Sequence, residues 1–181
     1  METERVIRVP TTGVSDFESL ITDETKKYVD KTELLYELAT PKTDSQLFIS
    51  RPRRFGKSLM LSTLKAMFEG RRDLFKGLAL DSLPWEGWTQ PTPVLFFDMS
   101  RLSPSEGRDA MNIALAGQIR EAADAFGVGP LNTGSIGFAF DELIRKVAAT
   151  SSGGKVVVLV DEYDAPMTRV LDDPEYLRWM R

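Results

Sequence analysis

SRPRRFGKS at residues 50–58 joins a strand-like run to a helix-like run. The run before it is QLFIS at 46–50, and the run after it is LMLSTLKAMF at 59–68. A strand, a tight basic turn with Gly-Lys-Ser and a helix are typical of a phosphate-binding loop, because backbone N–H groups at a helix N-terminus point at phosphate oxygens. The sequence therefore predicts a nucleotide-binding loop between these two elements.

The loop matches part of the usual pattern, G-x-x-x-x-G-K-[ST]. Gly56, Lys57 and Ser58 fit it, whereas Arg51 stands where the first glycine is expected. In such a loop Lys57 reaches the terminal phosphates of ATP and the Ser58 hydroxyl binds Mg²⁺. The alternative is a strand-to-helix turn that contains this triplet by chance. The predicted ATP contacts are Arg51, Pro52, Arg53, Arg54, Phe55, Gly56, Lys57, Ser58 and Leu59.

A second motif supports the nucleotide site. The apolar run VVVLV at 156–160 ends on Asp161 and Glu162. A carboxylate at the end of such a strand can hold Mg²⁺, and the next one can orient or deprotonate an attacking water. We therefore predict Ser58 and Asp161 as metal ligands, and Glu162 and Lys57 as catalytic residues. The alternative for Asp161 and Glu162 is a solvated acidic strand end.

The composition limits the kinds of catalytic and metal site that this chain can form. Of the 181 residues, 42% are hydrophobic and 28% are charged, as in ordinary globular proteins. The formal net charge of −4 argues against a protein that coats nucleic acid without sequence specificity. The absence of cysteine and histidine excludes thiolate metal sites, histidine zinc sites and a Ser-His-Asp triad within this chain. Carboxylates, hydroxyls, lysine, arginine and a hard cation remain, which are the groups used in phosphoryl transfer.

We expect a cytoplasmic protein without a membrane partner. No apolar run approaches the roughly 20 residues that span a bilayer. The start, METER at 1–5, lacks a basic segment followed by an apolar one, so a secretory signal is not expected.

The other elements predict an α/β fold. VLFF at 94–97 reads as a strand buried on both faces, as in a parallel sheet, and ends on Asp98. The stretch SPSE at 103–106 predicts the start of a helix, and a second helix follows from Ile136. The apolar stripe of the first of these helices is Met111, Leu115, Ile119, Ala122 and Phe126. We expect a P-loop NTPase-type, mainly parallel sheet flanked by helices, with a lead-in segment at 1–45 and a partial ATPase core at 46–181.

Several side chains have more than one interpretation. Arg51, Arg53 and Arg54 could clasp phosphates, form a nucleic-acid surface or pair with carboxylates of 161–164. Tyr28 and Tyr163 are expected to pack rather than to stack on a base. Asp98 lies where α/β sites form, yet helix capping explains it equally well.

Four segments together resemble the AAA-ATPase-like family of bacterial and archaeal proteins: YVDKT at 28–32, RPRRFGKS at 51–58, DLFKGL at 73–78 and VVVLVDEYDAPM at 156–167. The resemblance spans nearly the whole chain. In that family an arginine-rich loop without the first glycine is normal. The family belongs to the P-loop ATPases with an added catalytic glutamate, which implies that role for Glu162. It also implies adenine-pocket contacts for 28–32 and the helix after it.

The resemblance implies a larger protein. Longer members usually continue into a nuclease-like C-terminal domain of the PD-(D/E)XK type. A further strand with a polar sensor residue, an arginine finger and a lid domain are expected after Arg181, so we expect a truncated domain, and oligomerisation is possible for such ATPases.

Our hypothesis from the sequence is an ATP-binding, ATP-hydrolysing domain that uses Mg²⁺. Two alternatives stay open. One is a nucleotide-gated switch with negligible hydrolysis, and the other is a nucleic-acid-binding module that uses the arginines of 51–54.

Overall fold

A computed structural model describes residues 9–10, 14–40, 46–50, 55–103, 108–132 and 134–168. The chain divides into two compact units, Met1–Pro91 and Thr92–Arg181. The predicted separation of a lead-in at 1–45 from a core at 46–181 stays a prediction. In the parts that the structure describes, no helix has both the length and the apolar composition that a membrane crossing requires.

The first unit is mainly helical. Its helices are α1 (Phe17–Thr22), α2 (Thr32–Ala39) and α3 (Lys57–Phe68). Its strands, β1 (Val9–Pro10) and β2 (Lys26–Lys27), pair in parallel. Three short 3₁₀ turns follow α3, at Arg72–Phe75, Ala79–Ser82 and Glu86–Trp88.

Aromatic side chains form much of the core of this unit. Phe17 and Phe75 are fully buried and their ring centroids lie 4.9 Å apart. Trp88 packs against Phe75 with 5.3 Å between the centroids. The indole of Trp85 donates a hydrogen bond of 3.0 Å to the carbonyl of Met67, near the end of α3. Aromatic contacts thus join α1 to the turns after α3, and the hydrogen bond of Trp85 joins those turns to α3.

The second unit contains a parallel sheet flanked by helices. Its strands are β3 (Val94–Asp98) and β4 (Val157–Asp161), and its helices are α4 (Arg108–Phe126), α5 (Ile136–Thr150) and α6 (Ala165–Thr168). A 3₁₀ turn at Met99–Arg101 follows β3. The two helices α4 and α5 lie between β3 and β4 in the chain, and parallel strands require a long crossover connection of this kind. The mixed α/β fold and the parallel pairing expected from the sequence are confirmed.

The core of the second unit lies between the sheet and the helices. It is formed by Leu95, Phe97, Ile119, Ala123, Leu143 and Val147. Burial of β3 on both faces is incomplete, because Phe96 keeps 37% of its side chain exposed. The helix start predicted at 103–106 falls mostly outside the described residues.

The strand predicted at 46–50 is wrong in this structure. These residues have no regular secondary structure, and Leu47 and Phe48 are 59% and 73% exposed. A β-branched or apolar run becomes a strand only where a neighbouring strand accepts its backbone hydrogen bonds. Among the described residues no strand pairs with this run.

Candidate functional site

The chain enters α3 through a left-handed residue, Gly56. Its φ of 75° and ψ of 27° place it in a region that L side chains rarely adopt. A Cβ on Gly56 would meet nothing within 4 Å, so the backbone conformation rather than space requires glycine here. The carbonyl of Gly56 accepts the first helical hydrogen bond, 2.9 Å from the amide of Met60.

Lys57 and Ser58 are the first two residues of α3. Both are half-buried. Gly56 has no side chain that could cap the helix, so the first-turn amides of α3 remain donors for another group. The partial positive charge of the helix N-terminus favours an anion at this place. The arrangement of Gly56, Lys57 and Ser58 at the helix start is the one predicted for a phosphate loop.

The start of α1 is joined to α3 through Ser62, which lies about one helical turn after Ser58. The hydroxyl of Ser62 accepts a hydrogen bond of 2.9 Å from the amide of Phe17 and donates one of 3.3 Å to Asp16. Asp16 also accepts a hydrogen bond of 2.7 Å from the amide of Ser19, which caps α1. These contacts fix α3 to the N-terminal part of the unit, and they lower the pKa of Asp16, with the bonds from Ser19 as the largest cause.

Phe55 and Leu59 lie on either side of the Gly-Lys-Ser triplet at 56–58. Phe55 is 64% exposed, and Leu59 is half-buried within α3. Arg51, Pro52, Arg53 and Arg54 lie outside the described residues, so their three interpretations stay open.

In the second unit, Asp161 ends β4 beside the end of β3. Asp98 and Asp161 are register partners in the parallel pair. Only 8% of Asp161 is exposed, and its carboxylate accepts a hydrogen bond of 2.9 Å from the amide of Glu162. The carboxyl ends of parallel strands are the usual location of α/β binding sites.

Glu162 has a strained backbone. Its φ is 50°, which a non-glycine residue adopts at a cost of about 1–2 kcal/mol. Strain of this kind persists where the surrounding structure imposes it, and it is found often at functional sites. The carbonyl of Glu162 accepts a hydrogen bond of 2.9 Å from Ala165, the first residue of α6. The turn between β4 and α6 thus holds the predicted catalytic glutamate in a defined position.

Asp98 caps a turn. Its carboxylate accepts a hydrogen bond of 2.8 Å from the amide of Ser100, in the 3₁₀ turn Met99–Arg101. Its backbone is held by Gln118 of α4, whose amide accepts from the Asp98 N–H at 3.0 Å and donates to the Asp98 carbonyl at 3.1 Å. Of the two interpretations of Asp98, capping is the one that the structure shows.

Residues of the YVDKT segment serve packing and hydrogen bonding within the first unit. The ring of Tyr28 contacts Phe17 edge-on at 5.2 Å, and burial raises the pKa of Tyr28. Thr32 is fully buried and its hydroxyl accepts a hydrogen bond of 3.0 Å from the amide of Leu80. The expected adenine contacts of this segment stay a prediction. Tyr163 is 43% exposed.

The predicted Mg²⁺ ligands suit a hard cation. The Ser58 hydroxyl and the Asp161 carboxylate both supply oxygen, which Mg²⁺ prefers. Within the described ranges no group of three or more acidic side chains could form a metal cage. Mg²⁺ in nucleotide sites is bound through one or two protein oxygens and the substrate phosphates, so a cage is not required.

Sequence reasoning missed two polar features. Gln118 is 5% exposed and lies beside Ile119 of the predicted apolar stripe. The carboxylate of Asp30 accepts a hydrogen bond of 2.7 Å from the amide of Ala79. A glutamine next to the core-facing positions of a helix was the available signal for the first, whereas the second depends on a contact between distant segments.

Known proteins resemble this chain in sequence. The profile of the AAA-ATPase-like family, described as "Predicted AAA-ATPase", matches residues 11–181. A curated protein of Azotobacter chroococcum mcd 1, "Uncharacterized protein in vnfD 5'region", is 38% identical over 180 residues. The match covers 93% of this chain and 31% of that protein, so the chain spans about a third of the relative's length. No solved structure matches the chain.

Proposed function

The chain belongs to the AAA-ATPase-like family, and we propose that it binds ATP with Mg²⁺ and hydrolyses it. Membership in a family of predicted ATPases supports an ATPase-like function at a coarse level. The single observation that supports the finer proposal is the left-handed Gly56 followed by Lys57 and Ser58 at the start of α3.

The start of α3 would bind the phosphates. Its first-turn amides offer donors to phosphate oxygens, and the helix dipole contributes typically about 0.3–1 kcal/mol for an exposed anion. Lys57 would place a positive charge at the terminal phosphates, as in other loops with Gly-Lys-Ser. The Ser58 hydroxyl would be one protein ligand of Mg²⁺. The arginines of 51–54 are proposed as further phosphate contacts.

The end of β4 would supply the acidic groups. Asp161 would hold Mg²⁺, which when bound neutralises charge on the phosphate oxygens. Glu162 would orient a water for attack and accept its proton. The hydrogen bond from the Glu162 amide holds the Asp161 carboxylate that is proposed to bind Mg²⁺. The left-handed φ of Glu162 sets the direction in which the Glu162 side chain leaves the backbone.

A nuclease-like domain in a longer protein remains an expectation from the resemblance, whereas nucleic acid as a partner remains one of the three interpretations of Arg51, Arg53 and Arg54. An oligomeric assembly also stays an expectation.

The proposal is tested by measuring ATP binding to variants of two lysines of α3, Lys57 and Lys65. Lys57→Ala should weaken Mg²⁺-dependent ATP binding by at least about tenfold, because a hydrogen bond to a charged group contributes roughly 1.5–3 kcal/mol. Lys65→Ala is the matched control, since Lys65 lies in α3 and pairs with Glu69 at 3.9 Å. Its ATP affinity should equal that of the wild type, as measured by calorimetric titration. Equal affinities of both variants and the wild type, or a wild type that binds no ATP, would contradict the proposal.

A further inference from the structure

The buried amide of Gln118 makes two hydrogen bonds to one residue of the sheet. Its Oε1 accepts from the backbone N–H of Asp98 at 3.0 Å, and its Nε2 donates to the carbonyl of Asp98 at 3.1 Å. Because one partner is a donor and the other an acceptor, only one orientation of the amide satisfies both bonds. Gln118 therefore clamps the backbone at the last residue of β3.

Because Gln118 is buried, its two hydrogen bonds matter for the free energy of folding. Gln118 is 5% exposed and lies in α4 beside the core residue Ile119. A buried amide costs free energy unless both of its polar atoms are hydrogen-bonded, and an apolar side chain would pack there without that requirement. The glutamine thus contributes something that packing alone does not, namely a fixed position for Asp98.

Asp98 lies beside the predicted metal ligand, Asp161. It is the register partner of Asp161 at the end of the β3–β4 pair. The 3₁₀ turn Met99–Arg101, which follows Asp98, contacts both β4 and α6. The side chains of Asp98 and Asp161 each accept a hydrogen bond from a nearby backbone amide, so the position of each backbone determines where its carboxylate lies.

A second contact from α4 holds the same turn. Arg101 forms two hydrogen bonds, of 2.8 and 2.9 Å, with Glu121, one helical turn after Gln118. Both side chains of this pair are more than half exposed, and exposed pairs contribute little. The buried amide of Gln118 is therefore the stronger of the two links.

We propose that Gln118 is a positioning residue for Asp161: by clamping the backbone of Asp98, it keeps the ends of β3 and β4 in the register that sets the Asp161 carboxylate for Mg²⁺. The inference rests on the proposed function, and it adds a residue of α4 to the site. Gln118 does not touch the nucleotide. It acts through Asp98 and the strand pair.

The test compares Gln118→Met with Ile119→Val. Methionine has a similar length and makes neither hydrogen bond, whereas Ile119→Val removes one buried methylene from the adjacent core position and leaves the clamp intact. Two quantities are measured on each protein. One is the hydrogen exchange of the Asp98 amide. The other is the Mg²⁺ concentration that half-saturates binding of a fluorescent ATP analogue, together with the affinity for that analogue without Mg²⁺.

Gln118→Met should speed exchange of the Asp98 amide and raise the half-saturating Mg²⁺ concentration about 10-fold, which is the low end of the effect of outer-shell partners of metal ligands. Its Mg²⁺-free affinity should be that of the wild type, which a general loss of structure would not preserve. Ile119→Val should leave all these values within about twofold, since it removes no contact to Asp98.

If Gln118→Met does not fold, Gln118→Asn replaces it, because its amide is one bond, about 1.5 Å, too short to keep both contacts. Wild-type Mg²⁺ dependence in the folded variant, or an equal change in Ile119→Val, overturns the inference while the proposed function stands. A wild-type protein without Mg²⁺-dependent nucleotide binding overturns the proposed function and this inference with it.

Discussion

Asp30 and Ala79, which are 49 residues apart in the chain, are joined by a hydrogen bond of 2.7 Å from the Ala79 amide to the Asp30 carboxylate. The other oxygen of Asp30 accepts two bonds of 2.8 Å, from the amide and the hydroxyl of Thr32. The Thr32 hydroxyl in turn accepts from the amide of Leu80. Asp30 and Thr32 therefore tie the start of α2 to the turn Ala79–Ser82.

Asp30→Ala should destabilise the protein by about 1–2 kcal/mol, because the amides of Ala79 and Thr32 lose their acceptor. Urea unfolding measures the change. Asp23→Ala is the matched control, since Asp23 also accepts from an amide and a hydroxyl, those of Thr25, but makes only local contacts. Its effect should stay below about 1 kcal/mol. Equal losses in the two variants would show that the link to Ala79 contributes nothing.

The contribution of Asp30 should depend on pH. Burial raises the pKa of Asp30, but the hydrogen bonds from Thr32 and Ala79 outweigh it, so the pKa lies below the ordinary value of 3.8. A carboxyl with a lowered pKa in the folded state stabilises the protein above its unfolded pKa, and this stabilisation is lost as the pH falls through the folded pKa.

The difference in unfolding free energy between the wild type and Asp30→Asn should therefore be largest above about pH 5 and shrink below about pH 4. Urea titrations at a series of pH values measure it. A difference that grows on acidification would contradict the assigned contacts.

Glu162 should tolerate asparagine better than glutamine. Its φ of 50° is costly for most side chains, and asparagine adopts this region more readily. Both substitutions remove the carboxylate, so a difference between them reports the backbone strain. We expect Glu162→Asn to be more stable than Glu162→Gln by roughly 0.5–1 kcal/mol in urea unfolding. Identical stabilities would mean that Glu162 is not strained.

Local patterns predicted much of the fold. The helical run that ends α3 at Phe68, the start of α5 at Ile136 and the apolar runs of β3 and β4 follow from local sequence patterns. The parallel orientation of β3 and β4 followed from helices lying between two apolar strands, whereas their direct pairing is a finding of the structure. The predicted features depend on residues that are close in sequence.

The features that the sequence predicted wrongly or missed depend on residues that are distant in the chain. The run at 46–50 has the composition of a strand, yet strand formation requires a partner that composition does not specify. Gln118 lies next to Ile119 of the apolar stripe, and its role depends on where Asp98 comes to lie. The Asp30–Ala79 bond likewise joins segments that only folding brings together. For the site, the sequence predicted the helix start at Gly56 and the strand end at Asp161, and it missed the contacts that hold them.

The proposed ATPase is tested most directly by the identity of the nucleotide bound to Glu162→Gln. We expect this variant to bind ATP and Mg²⁺ with wild-type affinity and to retain the nucleotide as ATP, with turnover lowered about 10²- to 10⁴-fold, since a general base is removed. Asp164→Asn, which removes a carboxylate two residues further along the turn, is the control and should release ADP like the wild type. ADP formation by Glu162→Gln at the wild-type rate, or no turnover by the wild type itself, would contradict hydrolysis at this site, and the second result would favour a nucleotide-gated switch.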